Sequence, residues 1–63
     1  MTSERDSYLQ MAVQPMEFAL QMTRNAMRYS VSTIDKANLQ LIADRLGEAI
    51  EITKQEIRYQ LTK

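Results

Sequence analysis

The stretch from Ile34 to Leu61 constrains the fold most, because its apolar residues repeat with the period of an α-helix along two separate stripes. At about 100° per residue, the broader stripe contains Leu39, Ile42, Leu46, Ala49, Ile50, Thr53, Ile57 and Leu61. The narrower stripe, roughly 140° away, contains Leu41, Ile52 and Tyr59. One stripe can pack against another part of the same chain, and the second stripe then needs a different partner.

The segment before this stretch is also helical in pattern, and it too carries surplus apolar surface. Two heptad rows run side by side along it. One contains Leu9, Met16 and Thr23, and the other contains Val13, Leu20 and Met27. A third row consists of Ala12, Ala19 and Ala26, and the apolar arc continues past it through Met11, Phe18, Met22 and Tyr29. A helix in a simple hairpin needs an apolar stripe of only about 100°. The Ala row indicates either a close helix contact or no more than high helix propensity.

Pro15 lies inside this first helix, where it removes a backbone hydrogen bond, so a kink or a break is expected there. A kinked but continuous helix is favoured because the apolar residues keep their phase across the proline. The polar residues 1–6 are expected to be frayed. Residues 30–33 favour a connection, Asp35 is predicted to be the N-cap of the second helix, and Ile34 with Leu39 is predicted to form a hydrophobic staple.

These signals predict an all-α fold, in which helices at about residues 4–29 and 35–61 form an antiparallel hairpin within a single domain, residues 1–63. A chain of 63 residues buries too little surface for a secure core of its own. It contains no Cys and no His, so neither a disulfide nor a zinc site can reinforce it. A homodimer with four helices is therefore expected.

The surplus apolar residues are the candidate interface, either with a second copy or with another protein. They are Met11, Phe18, Ala19, Met22, Ala26, Tyr29, Leu41, Ile52 and Tyr59. The residues alone leave open which of them form the dimer contact, although Leu41, Ile52 and Tyr59 are the sharper candidates for a foreign partner. Gly47, in the middle of the second helix, is either a point of close approach or a tolerated weak point.

Composition bears on the class of function. Without His or Cys, the commonest general base and the commonest thiol nucleophile are missing, and no metal, cofactor or nucleotide motif occurs, so an enzyme is not expected. Eight basic and eight acidic residues cancel, which disfavours nucleic acid and anionic membranes as partners. No run of residues reaches the length of a membrane span and no signal peptide is visible, so a cytoplasmic location is expected.

The segment that contains Lys36, Leu39, Ile42 and Leu46 resembles the second helix of the small two-component connector proteins of the YmgB/AriR kind. The overall plan is also similar to phage-encoded anti-activators, helical dimers that occupy a host transcription regulator. Either resemblance implies a non-enzymatic protein that sequesters or modulates a regulator.

The function expected from the sequence is thus a small regulatory protein that binds and modulates or inhibits another protein, with a transcription regulator as one candidate. The alternative is a structural or assembly subunit of a phage or of another multiprotein complex. A DNA-binding regulator is disfavoured by the zero net charge and by the lack of a third helix.

Overall fold

The computed structural model describes the backbone of residues 4–62 and the side chains of residues 4–57. Within that range, α1 spans Glu4–Met27 and α2 spans Thr33–Thr62. Arg5, near the start of α1, contacts Glu56, near the end of α2, so the helices run antiparallel. The pair forms a rod with extents of 49 × 15 × 12 Å. The predicted all-α hairpin is confirmed.

The connection between the helices, residues 28–32, is within the predicted length, but both of its ends differ from the prediction. The first helix ends at Met27 instead of Tyr29, and the second begins at Thr33 instead of Asp35. After Met27 the backbone hydrogen bonds join residues three positions apart instead of four. The amide of Tyr29, for example, donates to the carbonyl of Ala26 at 3.0 Å. Such short turns satisfy carbonyls at the end of a helix.

Ser32 is the N-cap of α2, so the assignment of that role to Asp35 was wrong. The Asp35 amide donates to Oγ of Ser32 at 3.1 Å, and the Val31 amide donates to Oδ2 of Asp35 at 3.2 Å. This reciprocal arrangement is a variant of the capping box. Because Ile34 lies inside the helix and is exposed, it does not form the predicted staple with Leu39.

Pro15 does not break α1, which is continuous from Glu4 to Met27. The continuity that the apolar phase indicated is therefore confirmed. The side chain of Pro15 is exposed, so its ring lies on the outside of the hairpin and takes no place in the contact between the helices.

The helices pack along a seam of residues spaced alternately by three and four positions, the spacing of an antiparallel coiled coil. On α1 the seam contains Leu9, Val13, Met16, Leu20, Thr23 and Met27, and on α2 it contains Leu39, Ala43, Leu46, Ile50, Thr53 and Ile57; all are buried or half-buried. Both threonines donate their hydroxyls to a carbonyl four residues back, Thr23 to Ala19 at 2.8 Å and Thr53 to Ala49 at 2.7 Å. The seam therefore holds two hydroxyls without an unsatisfied polar group.

Two features of the seam differ from the sequence pattern. Ala43 is buried, whereas Ile42, which the broad stripe included, is 48% exposed. The spacing of 39, 43, 46 and 50 selects position 43 and leaves position 42 on the flank. Asp6 is helical and buried, although residues 1–6 were expected to be frayed; it continues the seam three residues before Leu9. Residues 1–3 of that expectation lie outside the described part of the chain.

The core of a single hairpin is thin. Among the side chains that the structure describes, the buried apolar residues are Ala43 and Ile50, each 6% exposed, and no large side chain there is fully buried. Asp6 is the buried charged residue of the same range, and its carboxylate accepts a hydrogen bond from Arg5 at 3.1 Å. Closing one hairpin therefore leaves most of the apolar side chains in contact with solvent.

Candidate protein-binding surface

The exposed apolar side chains are distributed unequally around the hairpin. Among the side chains of residues 4–57, the large ones are Tyr8, Met11, Phe18, Met22, Tyr29, Val31, Ile34, Leu41, Ile42 and Ile52. Single exposed apolar residues are common in proteins, whereas a contiguous group of them indicates an interaction site. Their position relative to the seam therefore determines what they can bind.

Two ion pairs between the helices define opposite flanks of the seam. Arg5 and Glu56 each directly precede a seam residue, and their side chains are 2.6 Å apart. Glu17 and Lys54 each directly follow a seam residue, and their side chains are 3.4 Å apart. In an antiparallel helix pair, the positions just before the seam on the two helices meet on one side of it. The positions just after the seam meet on the other side. The two ion pairs fit this geometry and identify the two faces.

The face that carries the Arg5–Glu56 pair is lined mainly by small and apolar side chains; we call it the apolar face. On each helix the seam residues form pairs spaced by three positions, such as Val13 and Met16. The inner rows of the face contain the residue just before the first member of each pair, and the outer rows contain the residue two places after that member. The inner rows contain Ala12, Ala19, Ala26, Ile42 and Ala49, and the outer rows contain Tyr8, Pro15, Met22 and Ile52, with Asn38 and Arg45 on the outer row of α2. Short alanine side chains therefore form most of the centre of this face, and larger apolar side chains lie at its sides.

The opposite face, which we call the polar face, carries the Glu17–Lys54 pair and an open groove. The groove has a volume of about 600 Å³ and is lined by Glu17, Leu20, Gln21, Arg24, Asn25, Arg28, Gly47, Ile50, Glu51 and Lys54. Its charged lining consists of two acidic side chains, Glu17 and Glu51, and three basic ones, Arg24, Arg28 and Lys54, so both signs are present. A Cβ added at Gly47 would meet no atom within 4 Å, so the space around this glycine is open.

The structure separates the predicted interface residues. Met22, Ala26 and Ile52 are exposed and lie on the apolar face, where Ala19 is half-buried beside the seam. Tyr29 is exposed in the connection that follows α1. Met11, Phe18 and Leu41 are exposed on the outer side of each helix, away from the seam. The side chain of Tyr59 lies outside the described residues. Leu41 and Ile52, which the sequence placed on one stripe, therefore belong to different surfaces.

Four exposed apolar residues were absent from the predicted interface: Tyr8, Val31, Ile34 and Ile42. Tyr8 and Ile42 lie on the apolar face, and Val31 and Ile34 lie at the turn end of the hairpin, near Tyr29 in the sequence. The signal that could have identified Ile42 is the strict seam spacing, which assigns position 43 to the core and position 42 to the flank.

The described residues offer little for metal or membrane chemistry. Among the described side chains, residues 4–57, no group of three or more His, Cys, Asp or Glu could hold a metal ion. Over the same range, no helix has both the length and the apolar character that crossing a membrane requires.

Comparisons of the chain with protein-family models, with curated proteins and with solved structures give no match. The resemblance to the connector proteins and to the anti-activators therefore stays a prediction, carried only by the residues quoted for it.

Proposed function

We propose that this chain is a small, non-enzymatic, cytoplasmic regulatory protein that binds another protein and modulates or inhibits it. A transcription regulator is the candidate target that the resemblance of the second helix suggests. The observation that carries the proposal is the amount of apolar side chain that stays exposed after the hairpin closes, on both helices and on more than one side. Exposed apolar groups of this extent are typical of surfaces that bind proteins.

The outer residues Phe18, Met11 and Leu41 are the proposed contacts with the regulator. Phe18 is 64% exposed and lies one helical heptad from Met11, so the two side chains lie along one line of α1. Aromatic and Met side chains are enriched in the cores of protein interfaces. A groove or pocket on the partner that accepts a ring beside a thioether would fit this line.

The test starts with the tagged full chain as bait in a lysate of the source cells, followed by identification of the captured protein and its purification. Calorimetric titration then measures the affinity of that protein for the wild type and for Phe18→Glu and Leu41→Glu. We expect each substitution to weaken binding by roughly tenfold or more, because a charge replaces an apolar contact. Gln14→Glu and Gln21→Glu, exposed residues of α1, are the charge-matched controls and should bind as the wild type does.

A regulatory role also requires an effect on the captured protein, so its activity is measured with and without the wild-type chain. A change in activity that Phe18→Glu abolishes supports the proposal. Capture of nothing above background, or binding that both outer variants retain in full, would overturn it.

The thin core supports one alternative, a structural or assembly subunit whose helices complete a larger bundle. With Ala43 and Ile50 as its buried apolar residues, a hairpin of this size has little to stabilise it in isolation. This alternative predicts that the purified chain has weak helical circular dichroism and becomes helical when its complex is reconstituted. A cooperative thermal transition of the purified chain would exclude it.

A further inference from the structure

We propose that the apolar face is where a second copy of this chain packs, so that two hairpins form a four-helix bundle. The inference deepens the proposed function, since it assigns one of the two exposed apolar surfaces to self-association. The outer residues Phe18 and Leu41 then remain for the regulated protein.

The exposed area of the chain supports a second copy as the occupant. The accessible surface is 5138 Å², whereas a compact protein of 7.3 kDa has about 4,200 Å² by the usual scaling with mass. The excess is about 900 Å², close to the roughly 800 Å² that each partner buries in a stable interface of standard size. An interface of standard size between two copies would therefore remove about as much surface from each copy as one hairpin exposes in excess.

The shape of the apolar face also suits close packing of helices. The alanines at positions 12, 19 and 49 flank the seam and allow another helix to approach closely, because short side chains reduce the distance between helix axes. Met22, Ile42 and Ile52 project beside these alanines and can fill the space between the apolar faces of two copies. A twofold interface needs a self-complementary patch, and alternating small and large apolar side chains provide one.

The charges on the apolar face do not oppose this contact. Arg5 and Glu56 neutralise each other at 2.6 Å, and Arg45 lies 3.8 Å from Glu48 on the same helix. Arg5 also contacts the buried Asp6 at 3.1 Å, so each of these charged groups lies against a group of opposite sign, which reduces the penalty of bringing charges into an interface.

Neither of the other surfaces offers an equivalent contact between copies. Glu17, Arg24 and Lys54 on the polar face would have to lose water if that face packed against its own copy. On the outer sides, Met11 and Phe18 follow the charged Glu4, and Leu41 precedes the charged Glu48 on the same line of α2, so the apolar runs there are short.

The first test is the oligomeric state of the full chain by analytical ultracentrifugation from 1 to 100 µM. We expect a dimer for the wild type and a shift toward monomer, by at least tenfold in the dissociation constant, for the double variant Met22→Glu/Ile52→Glu. The matched control Gln21→Glu/Gln55→Glu adds the same two charges to exposed positions off the apolar face and should dimerise as the wild type does. A wild type that is monomeric at 100 µM overturns the proposal.

The second test does not depend on the double variant being folded. Because the chain has no Cys, single Cys substitutions place one thiol per copy, and mild oxidation reports which faces meet. A residue meets its own copy only close to the twofold axis, so the thiol is moved along the apolar face with Ala12→Cys, Ala19→Cys and Ile52→Cys. We expect disulfide-linked dimers for at least one of these variants and little linkage for Gln14→Cys and Gln21→Cys on the polar face. The reverse order of linkage would place the dimer contact on the polar face and overturn the assignment.

The outcomes also separate this proposal from the proposed function. A monomer that binds the regulated protein through Met22 and Ile52 overturns the second copy as occupant and leaves the regulatory role intact. A dimer linked through the apolar face that binds no other protein supports the assignment of the face and overturns the regulatory role.

Discussion

The hydroxyl of Ser32 accepts a hydrogen bond from the amide of Asp35 at 3.1 Å, and this contact fixes the point at which α2 begins. The Asp35 carboxylate returns a contact by accepting the amide of Val31 at 3.2 Å. Two amides at the start of the helix are thus satisfied by two neighbouring side chains, in a connection of only five residues.

Removing this cap should destabilise the fold measurably. We expect Ser32→Ala to lower the free energy of unfolding by about 1 kcal/mol, because the Asp35 amide loses its acceptor at the end of the helix. Urea titration followed by circular dichroism, at one fixed protein concentration, measures the change. Ser7→Ala, an exposed serine inside α1, is the control and should be neutral or slightly stabilising. A loss at Ser32 no larger than that at Ser7 would contradict the cap.

The helices, their connection and most of the seam were predictable because they depend on local chemistry and on periodicity. The start of α2 was harder to predict, since Ser32 and Asp35 are both good N-cap residues and the choice depends on where the preceding turn leaves the chain. Asp6 was missed for a different reason. A carboxylate has no apolar signal, and its burial follows from the contact with Arg5 and from its seam position.

The exposure of most of the candidate residues was predictable, but their arrangement was not. An ideal wheel places Leu41 and Ile52 about 20° apart, whereas the 3.5-residue repeat of the seam separates them by about 50° over eleven residues, so that Ile52 borders the apolar face and Leu41 lies in the next row outward. The alanine row pointed to a close helix contact, and only the partner helix shows that Ala19 lies half-buried beside the seam within one chain. The apolar pattern of the sequence reflects packing within the chain. It does not identify the molecule that covers the apolar side chains that stay exposed.

Gly47 offers a stabilising substitution. We expect Gly47→Ala to raise the free energy of unfolding by about 1 kcal/mol, since a glycine inside a helix costs about that much relative to alanine. The added methyl group would meet no atom within 4 Å, so it introduces no clash. Thermal unfolding should shift upward by about 4–8 °C for a chain of this size. Because Gly47 lies on the polar face, the sedimentation behaviour should not change; a loss of dimer would show instead that a partner approaches this face.

Ile50 should be the most sensitive aliphatic position. It is 6% exposed and lies at the middle of the seam, so we expect Ile50→Ala to cost about 2–5 kcal/mol, enough to unfold much of a chain with so thin a core. Ile34→Ala makes the same chemical change at a residue that is 75% exposed, and it should alter stability by about 0.5 kcal/mol or less. Equal losses at the two positions, measured by urea unfolding, would contradict the assigned seam.

The pair of Glu17 and Lys54 tests how the two helices are aligned. Their charged groups are 3.4 Å apart across the seam, and both side chains are about half exposed, so water screens much of the attraction. A double-mutant cycle with Glu17→Ala and Lys54→Ala should give a coupling of about 0.2–1 kcal/mol at low salt, and less at 1 M NaCl. The control cycle pairs Glu17→Ala with Lys36→Ala, two charges far apart along the rod, and should give no coupling. The first pair links the two helices on the polar face. A coupling that persists in the Met22→Glu/Ile52→Glu variant, which we expect to be a monomer, therefore locates the contact within one chain. A zero coupling at low salt would mean that this pair contributes nothing to stability in solution.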